Sequence, residues 1–101
     1  FFDLRNKIQI GSNVVISMRS NFITHIDMSK SKLREVYPAK SAAILIGDHV
    51  YIGVGSTLLM GSVIEEKAFV AANTLVTKTV KAKTLVAGSP AKFIKNNIEI
   101  S

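Results

Sequence analysis

The stretch from Ile46 to Lys81 divides into blocks of six: IGDHVY, IGVGST, LLMGSV, IEEKAF, VAANTL and VTKTVK. The first residues of these blocks are Ile46, Ile52, Leu58, Ile64, Val70 and Val76, all aliphatic. The fifth residues are Val50, Ser56, Ser62, Ala68, Thr74 and Val80, all small or β-branched. A helix repeats its apolar positions near 3.6 residues and a plain strand at 2. A strict period of six fits neither. It fits a strand, a turn and a strand repeated around a prism, which is the pattern of a parallel β-helix. Each block then supplies one flat face with its first residue turned inward. Three blocks close one coil, and backbone hydrogen bonds run from coil to coil. The same phase begins earlier, in LRNKIQ, IGSNVV, ISMRSN and FITHID, which start at Leu4, Ile10, Ile16 and Phe22. Together the blocks make about three coils. Arg5 and Arg19 in these earlier blocks suggest a wall facing solvent or a ligand.

Two segments leave the pattern. Residues 28–45, MSKSKLREVYPAKSAAIL, are polar in their first half, and Pro38 disfavours a helix through Tyr37. Such a long interruption inside a compact fold reads as a loop extruded from one corner of the prism. It follows directly on Thr24-His25. After Val80 the repeat decays. Thr84 to Ala87 is one more strand candidate, and Gly88-Ser89-Pro90 ends it. Ser89 can cap and Pro90 can start a short helix through Lys95. Residues 88–101 then form a C-terminal cap, with Phe93 and Ile94 covering the open end of the prism, a task repeat folds require.

The 101 residues hold one domain, 1–101. A domain this small is marginal as an isolated monomer, which favours an oligomer. Hydrophobic content of 48% is too high for a disordered chain. No apolar run reaches the ~18 residues of a membrane span, and the N-terminus lacks the marks of a signal peptide. There is no Cys, so disulfides and thiolate metal sites are excluded, which suits a cytoplasmic protein. The chain opens on Phe, so upstream residues are expected outside it. Net charge is +6, with lysines gathered late in the chain. Basic charge without interleaved aromatics does not make a nucleic-acid surface. A solvated face or a small polyanionic cofactor accounts for it.

VAGSPAKFIK, residues 86–95, following IGDHVYIGVGSTLLMGSVIEEKAFVAANTLVTKTV, resembles the closing motif and repeats of the hexapeptide acyltransferases. The placement of the loop is similar to that of the galactoside and maltose O-acetyltransferases and related polysaccharide-modifying enzymes. The resemblance implies an all-β, left-handed parallel β-helix and a homotrimer. It implies acetyl-CoA as co-substrate in a groove between subunits, and a His near the extruded loop as catalytic base. On this chain the base falls on His25. Val54, after Gly53, and Ala72 fall along the pantetheine arm. Thr77 and Lys78 match a Thr-Lys pair near the cofactor. Lys92 and Lys95 stand where basic residues approach the nucleotide phosphates, and on the expected terminal helix they share a face. The family often has Gly where this chain has Ala71 and Asn73.

The chemistry asks for the same kinds of group. An acceptor hydroxyl must lose its proton as it attacks a thioester, and an imidazole suits that task near neutral pH. Only His25 and His49 are present. His49 sits at the fourth position of its block, at a turn, where a surface His is ordinarily without a role. Asp27 is a candidate to orient the His25 ring. Other readings remain. A non-catalytic β-helix scaffold or binding module has the same repeats, since fold does not fix function. A carbonic-anhydrase-like zinc enzyme needs three protein ligands, and two His without Cys do not supply three His, so no metal is expected. The acceptor, a sugar-like hydroxyl or amine, is not identified by these residues.

Overall fold

A computed structural model of the chain describes residue 2 and residues 5–96. Leu4, the first residue of the earliest block, and the end of the expected cap, residues 97–101, lie outside the described residues. Thirteen strands follow one another: β1 (Ile8–Ile10), β2 (Val15–Ile16), β3 (Asn21–Ile23), β4 (His25–Ile26), β5 (Lys40–Ser41), β6 (Ile44–Ile46), β7 (Tyr51–Ile52), β8 (Thr57–Leu59), β9 (Val63–Ile64), β10 (Phe69–Val70), β11 (Leu75–Val76), β12 (Thr84–Ala87) and β13 (Lys92–Asn96). The only helix among the described residues is a 3-10 turn at Lys32–Glu35.

The chain visits three parallel sheets in rotation. One holds β1, β6 and β9; a second holds β2, β7, β10 and β12; a third holds β3, β8 and β11. The register advances by three blocks per circuit: Leu45 pairs with Val63, Tyr51 with Phe69, and Thr57 with Leu75. All the first-position residues of the six regular blocks are buried, and so are all their fifth-position residues. Phe22 joins this core from the first circuit.

Fifth positions must be small because they line the inside of a corner, and a hydroxyl there has a local use. Ser20 Oγ donates to the carbonyl of Ser17, Ser62 Oγ to Leu59, Thr74 Oγ1 to Ala71, and Thr84 Oγ1 to Lys81, at 2.7–2.8 Å. Each bond reaches back three residues, and in the first three it joins the fifth residue to the second of the same block. A buried hydroxyl costs free energy unless paired, and among the described residues no buried side-chain N or O lacks a partner. The fourth positions turn the corners with positive φ: Asn13, Arg19, His49, Gly55, Gly61, Lys67 and Asn73 lie between 56° and 83°. This region costs a non-glycine residue ~1–2 kcal/mol. Bonds between circuits offset it: the N–H of His49 donates to Ser12, that of Lys67 to Asp48, and that of Asn73 to Val54, each at 2.9 Å.

The last circuit is cut short by two residues. Ile64 bridges to Val80 and Phe69 pairs with Leu85. Val80, read from the period as a fifth-position residue, therefore occupies the seat above the first-position residue Ile64. A full block would seat Ala82 there; the shorter corner seats a larger apolar side chain. Ala82 instead donates its N–H to Glu65 Oε1 at 3.0 Å.

The expected C-terminal helix is not formed. A turn with Gly88 at φ +104° and a cis Ser89–Pro90 bond reverses the chain, and β13 runs antiparallel to β12. A helix of one or two turns is unstable without packing. The edge of β12 offers unpaired N–H and C=O groups, which a returning strand satisfies. Phe93 and Ile94, expected to cover the end of the prism, remain 60% and 54% exposed. The extruded segment is ordered at its root, where β4 and β5 pair antiparallel with His25 opposite Ser41 and Ile26 opposite Lys40. Ser31 caps its 3-10 turn, Oγ accepting from the Leu33 N–H.

Candidate functional site

His25 occupies the fourth position of its block, where neighbouring circuits turn a corner at positive φ. In this block the chain instead leaves as β4, so the imidazole projects from a strand at the root of the excursion. Thr24 before it is fully buried, and its Oγ1 accepts from the Asn6 N–H at 3.1 Å. The Thr24 carbonyl accepts from the Ala42 N–H, and Asn6 Nδ2 donates to Ser41 Oγ at 3.0 Å. Three chain segments are thereby held around a half-buried His25.

Two hollows meet at His25 and Ile26. One, of about 230 Å³, is lined by Arg5, Asp27, Ala39, Lys40 and Ser41 as well. The other, of about 310 Å³, adds Ile23, Leu59, Met60 and Thr77, and is mostly apolar. Thr77 also opens onto a third hollow of about 150 Å³ at the end of the prism, with Lys78, Lys81 and Phe93 on its walls. His25, Leu59 and Thr77 belong to successive circuits. Shared lining residues, His25 and Ile26 and then Thr77, link the three hollows into a track that starts along one edge of the β3–β8–β11 sheet and finishes at the end of the prism, polar and basic at His25, apolar in the middle, and lysine-bearing at the far end.

The residues expected around the cofactor fall into three groups. Thr77 and Lys78 lie on this track. Val54 and Ala72 lie on the corners that precede β8 and β11, on the opposite edge of the same sheet, both exposed. One chain does not bring them to His25. Lys92 and Lys95 are on β13, not on a helix. Lys92 opposes Ala87 and Lys95 opposes Leu85, while Phe93 opposes Val86, with Ile94 as a bulge. Neighbouring strand residues alternate faces, and the bulge resets the alternation. The two lysines thus share a face, the one turned away from buried Val86. Asp27 Oδ1 accepts the Ser29 N–H at 2.8 Å, so one of its oxygens holds the backbone. His49 is an exposed corner residue. Lys40 and Ser41, which line the hollow beside His25, carry no local sequence signal: only the β4–β5 register brings them there. Among the described residues no three His, Cys, Asp or Glu side chains are grouped to hold a metal, and no helix is long and apolar enough to cross a membrane.

No family model matches the chain. The chain is 32% identical over 94 residues to YvoF of Bacillus subtilis (strain 168), provisionally named an acetyltransferase; the match covers 93% of this chain and 51% of that protein. It is 40% identical over 65 residues to the 2,3,4,5-tetrahydropyridine-2,6-dicarboxylate N-acetyltransferase of Staphylococcus aureus (strain bovine RF122 / ET3-1), covering 64% of this chain and 27% of that protein. Among solved structures, a galactoside acetyltransferase in complex with coenzyme A superposes with a TM-score of 0.86 at 25% identity, over 95% of this chain and 48% of that one. The chain thus spans about half the length of YvoF and of the galactoside enzyme, and less of the dicarboxylate enzyme. In its repeats and its three-sheet wall the chain resembles the hexapeptide-repeat acetyltransferases over about half of their length.

Proposed function

We propose that this chain is the repeat core of an acetyl-CoA-dependent acetyltransferase acting on a hydroxyl or amine of a sugar-like acceptor, with His25 as general base. The observation that carries the reading is the position of His25 as the partition between a polar hollow and an apolar one. A base that serves both substrates must stand where they meet. The acceptor would lie on the polar side, and the pantetheine thioester would reach along the apolar track. The lysine-bearing end suits phosphates. Solved relatives that carry coenzyme A support this co-substrate.

In the reaction the acceptor oxygen or nitrogen attacks the thioester carbon while His25 takes its proton. The C–S bond then breaks, and the imidazolium returns that proton to the departing thiolate. The products are the acetyl ester or amide and the CoA thiol. Backbone N–H groups at the corners are candidates to stabilise the charge on the carbonyl oxygen.

The proposal includes a left-handed winding and a C3 homotrimer. Its support is the division of the cofactor residues between the two edges of one sheet: a neighbouring copy would set the Val54–Ala72 corner of one chain against the His25–Thr77 track of another. A cytoplasmic role in polysaccharide biosynthesis fits this reading. The test is steady-state acetyl transfer by His25→Asn, with CoA affinity and oligomeric state measured in parallel. An amide keeps hydrogen bonds but is no base near neutral pH. Turnover should fall ~10²–10⁴-fold with CoA affinity little changed. Near-native turnover would overturn the assignment of the base.

A further inference from the structure

We infer that the hollow beside His25 selects an acceptor bearing an anionic group, a carboxylate or a phosphate, and that Arg5 and Lys40 are its specificity-determining residues. The inference rests on the acetyltransferase reading and deepens it. The walls are rich in donors. Arg5 and Lys40 both line the hollow, and neither side chain has any acceptor. A guanidinium carries five N–H donors, so a hydrogen bond within the protein does not exhaust it. Ser41 Oγ already accepts from Asn6 Nδ2, which leaves its own O–H to donate. Among the described residues the one carboxylate on these walls is Asp27, and its Oδ1 accepts the Ser29 N–H. A neutral sugar hydroxyl donates as well as accepts, and would find few acceptors here. A carboxylate or phosphate only accepts, and carries the complementary charge.

The placement is built by the fold. Lys40 stands opposite Ile26 and Ser41 opposite His25 in the β4–β5 pair, so the excursion delivers its donors beside the base. Arg5 arrives from the segment before β1, and the next residue, Asn6, is tied to Thr24 and Ser41. The hollow across His25 is mostly apolar, and among the described residues no Asp, Glu, Lys or Arg lies on its walls. Polar recognition is therefore confined to one side of the imidazole. An anion held there fixes which end of the acceptor points away from the thioester.

The experiment compares matched acceptors with the full chain and acetyl-CoA: galacturonate against galactose for a carboxylate, glucosamine 6-phosphate against glucosamine for a phosphate. The readout is the anionic-to-neutral ratio of kcat/KM. A ratio above one in either pair, falling about tenfold in Lys40→Gln and in Arg5→Gln, is expected, since each substitution removes a charged donor that a neutral acceptor does not need. The fall should shrink at high salt because the groups are exposed. Lys32→Gln, on the same excursion but outside the hollow, should keep the ratio. The pair that responds identifies carboxylate or phosphate as the group read. A preference for the neutral member of both pairs, or a ratio that neither variant moves, overturns the inference while leaving the acetyltransferase reading in place. Absence of acetyl-CoA binding by calorimetry, with no transfer to any acceptor, would instead count against that reading. In that event the hollow is read directly, by amide shifts at His25 and Ser41 on titration with galacturonate and with glucosamine 6-phosphate. Saturable shifts weakened by Lys40→Gln support an anion site, and no shift overturns it.

Discussion

At the corners of the prism, single residues decide between strain and fit. Gly61 has φ +83°, but a Cβ there would meet only Ala42 Cβ at 3.9 Å. Gly53 has no such φ, yet its Cβ would come within 2.5 Å of the Ala72 backbone N. The two glycines are therefore required for different reasons. Gly61→Ala should cost about 1 kcal/mol, the left-handed penalty less the entropy removed from the unfolded chain. Gly53→Ala must push one circuit off the next and should cost about 3 kcal/mol or more. Denaturant unfolding at one fixed protein concentration compares them, since an oligomer's stability depends on concentration. Equal losses would show that steric contact between circuits is not what keeps Gly53. Lys67 and Asn73 hold similar positive φ without being glycine, so at these corners the inter-circuit hydrogen bonds outweigh the local preference.

At the scale of elements, the shortened last circuit is a register device. A strand shifted by one residue turns every side chain to the other face. A shift of two preserves the faces. Inserting Gly-Ser between Lys78 and Thr79 converts VTKT into VTKGST, whose last three residues match those of the regular IGVGST block. Gly supplies the positive φ of the fourth position and Ser the hydroxyl of the fifth. Val80 keeps its seat above Ile64, and thermal unfolding should move by only a few degrees. A single Gly inserted at the same point turns Val80 out of the core and should lower the melting temperature sharply. Circular dichroism melts of the two variants separate these cases; similar losses would argue against a register held by Val80. The hairpin of β12 and β13 belongs to this scale as well. It satisfies an open edge with backbone bonds rather than with an apolar cap, which is why Phe93 and Ile94 stay exposed.

At the scale of the molecule, the division of the proposed site between two sheet edges makes a prediction about assembly. If His25 of one copy works with the Ala72 corner of a neighbour, two inactive variants should complement each other. His25→Asn lacks the base, and Ala72→Trp blocks the corner. Co-refolded in equal amounts, they form mixed trimers in which about a quarter of the sites pair an intact base with an intact corner. Recovery of about a quarter of the wild-type rate is expected, measured as acetyl transfer by the mixed sample. No recovery in mixed trimers would place the whole site within one chain. Light scattering tests the trimer itself, and a fully active monomer would remove the shared site.

The core was legible in the sequence because a six-residue period is a local property. Each strand and corner uses the same number of residues, so Ile46 to Val76 could be seated in the core without knowledge of the rest of the chain. The nature of the fifth position was legible too, though not its bond to the second-position carbonyl. His25 stood out by its place at the root of the excursion. The tertiary structure decided what depends on residues far apart. Pro90 to Lys95 has the local marks of a helix start, but the unpaired edge of β12 draws Lys92 to Asn96 into a strand. The seat of Val80 follows from the partner it finds in Ile64. Arg5, His25 and Lys40 meet only because β1 to β5 fold back on one corner, and no spacing along the chain encodes that meeting. Local repetition specifies a repeat wall; partners supplied from a distance specify its ends and its pockets.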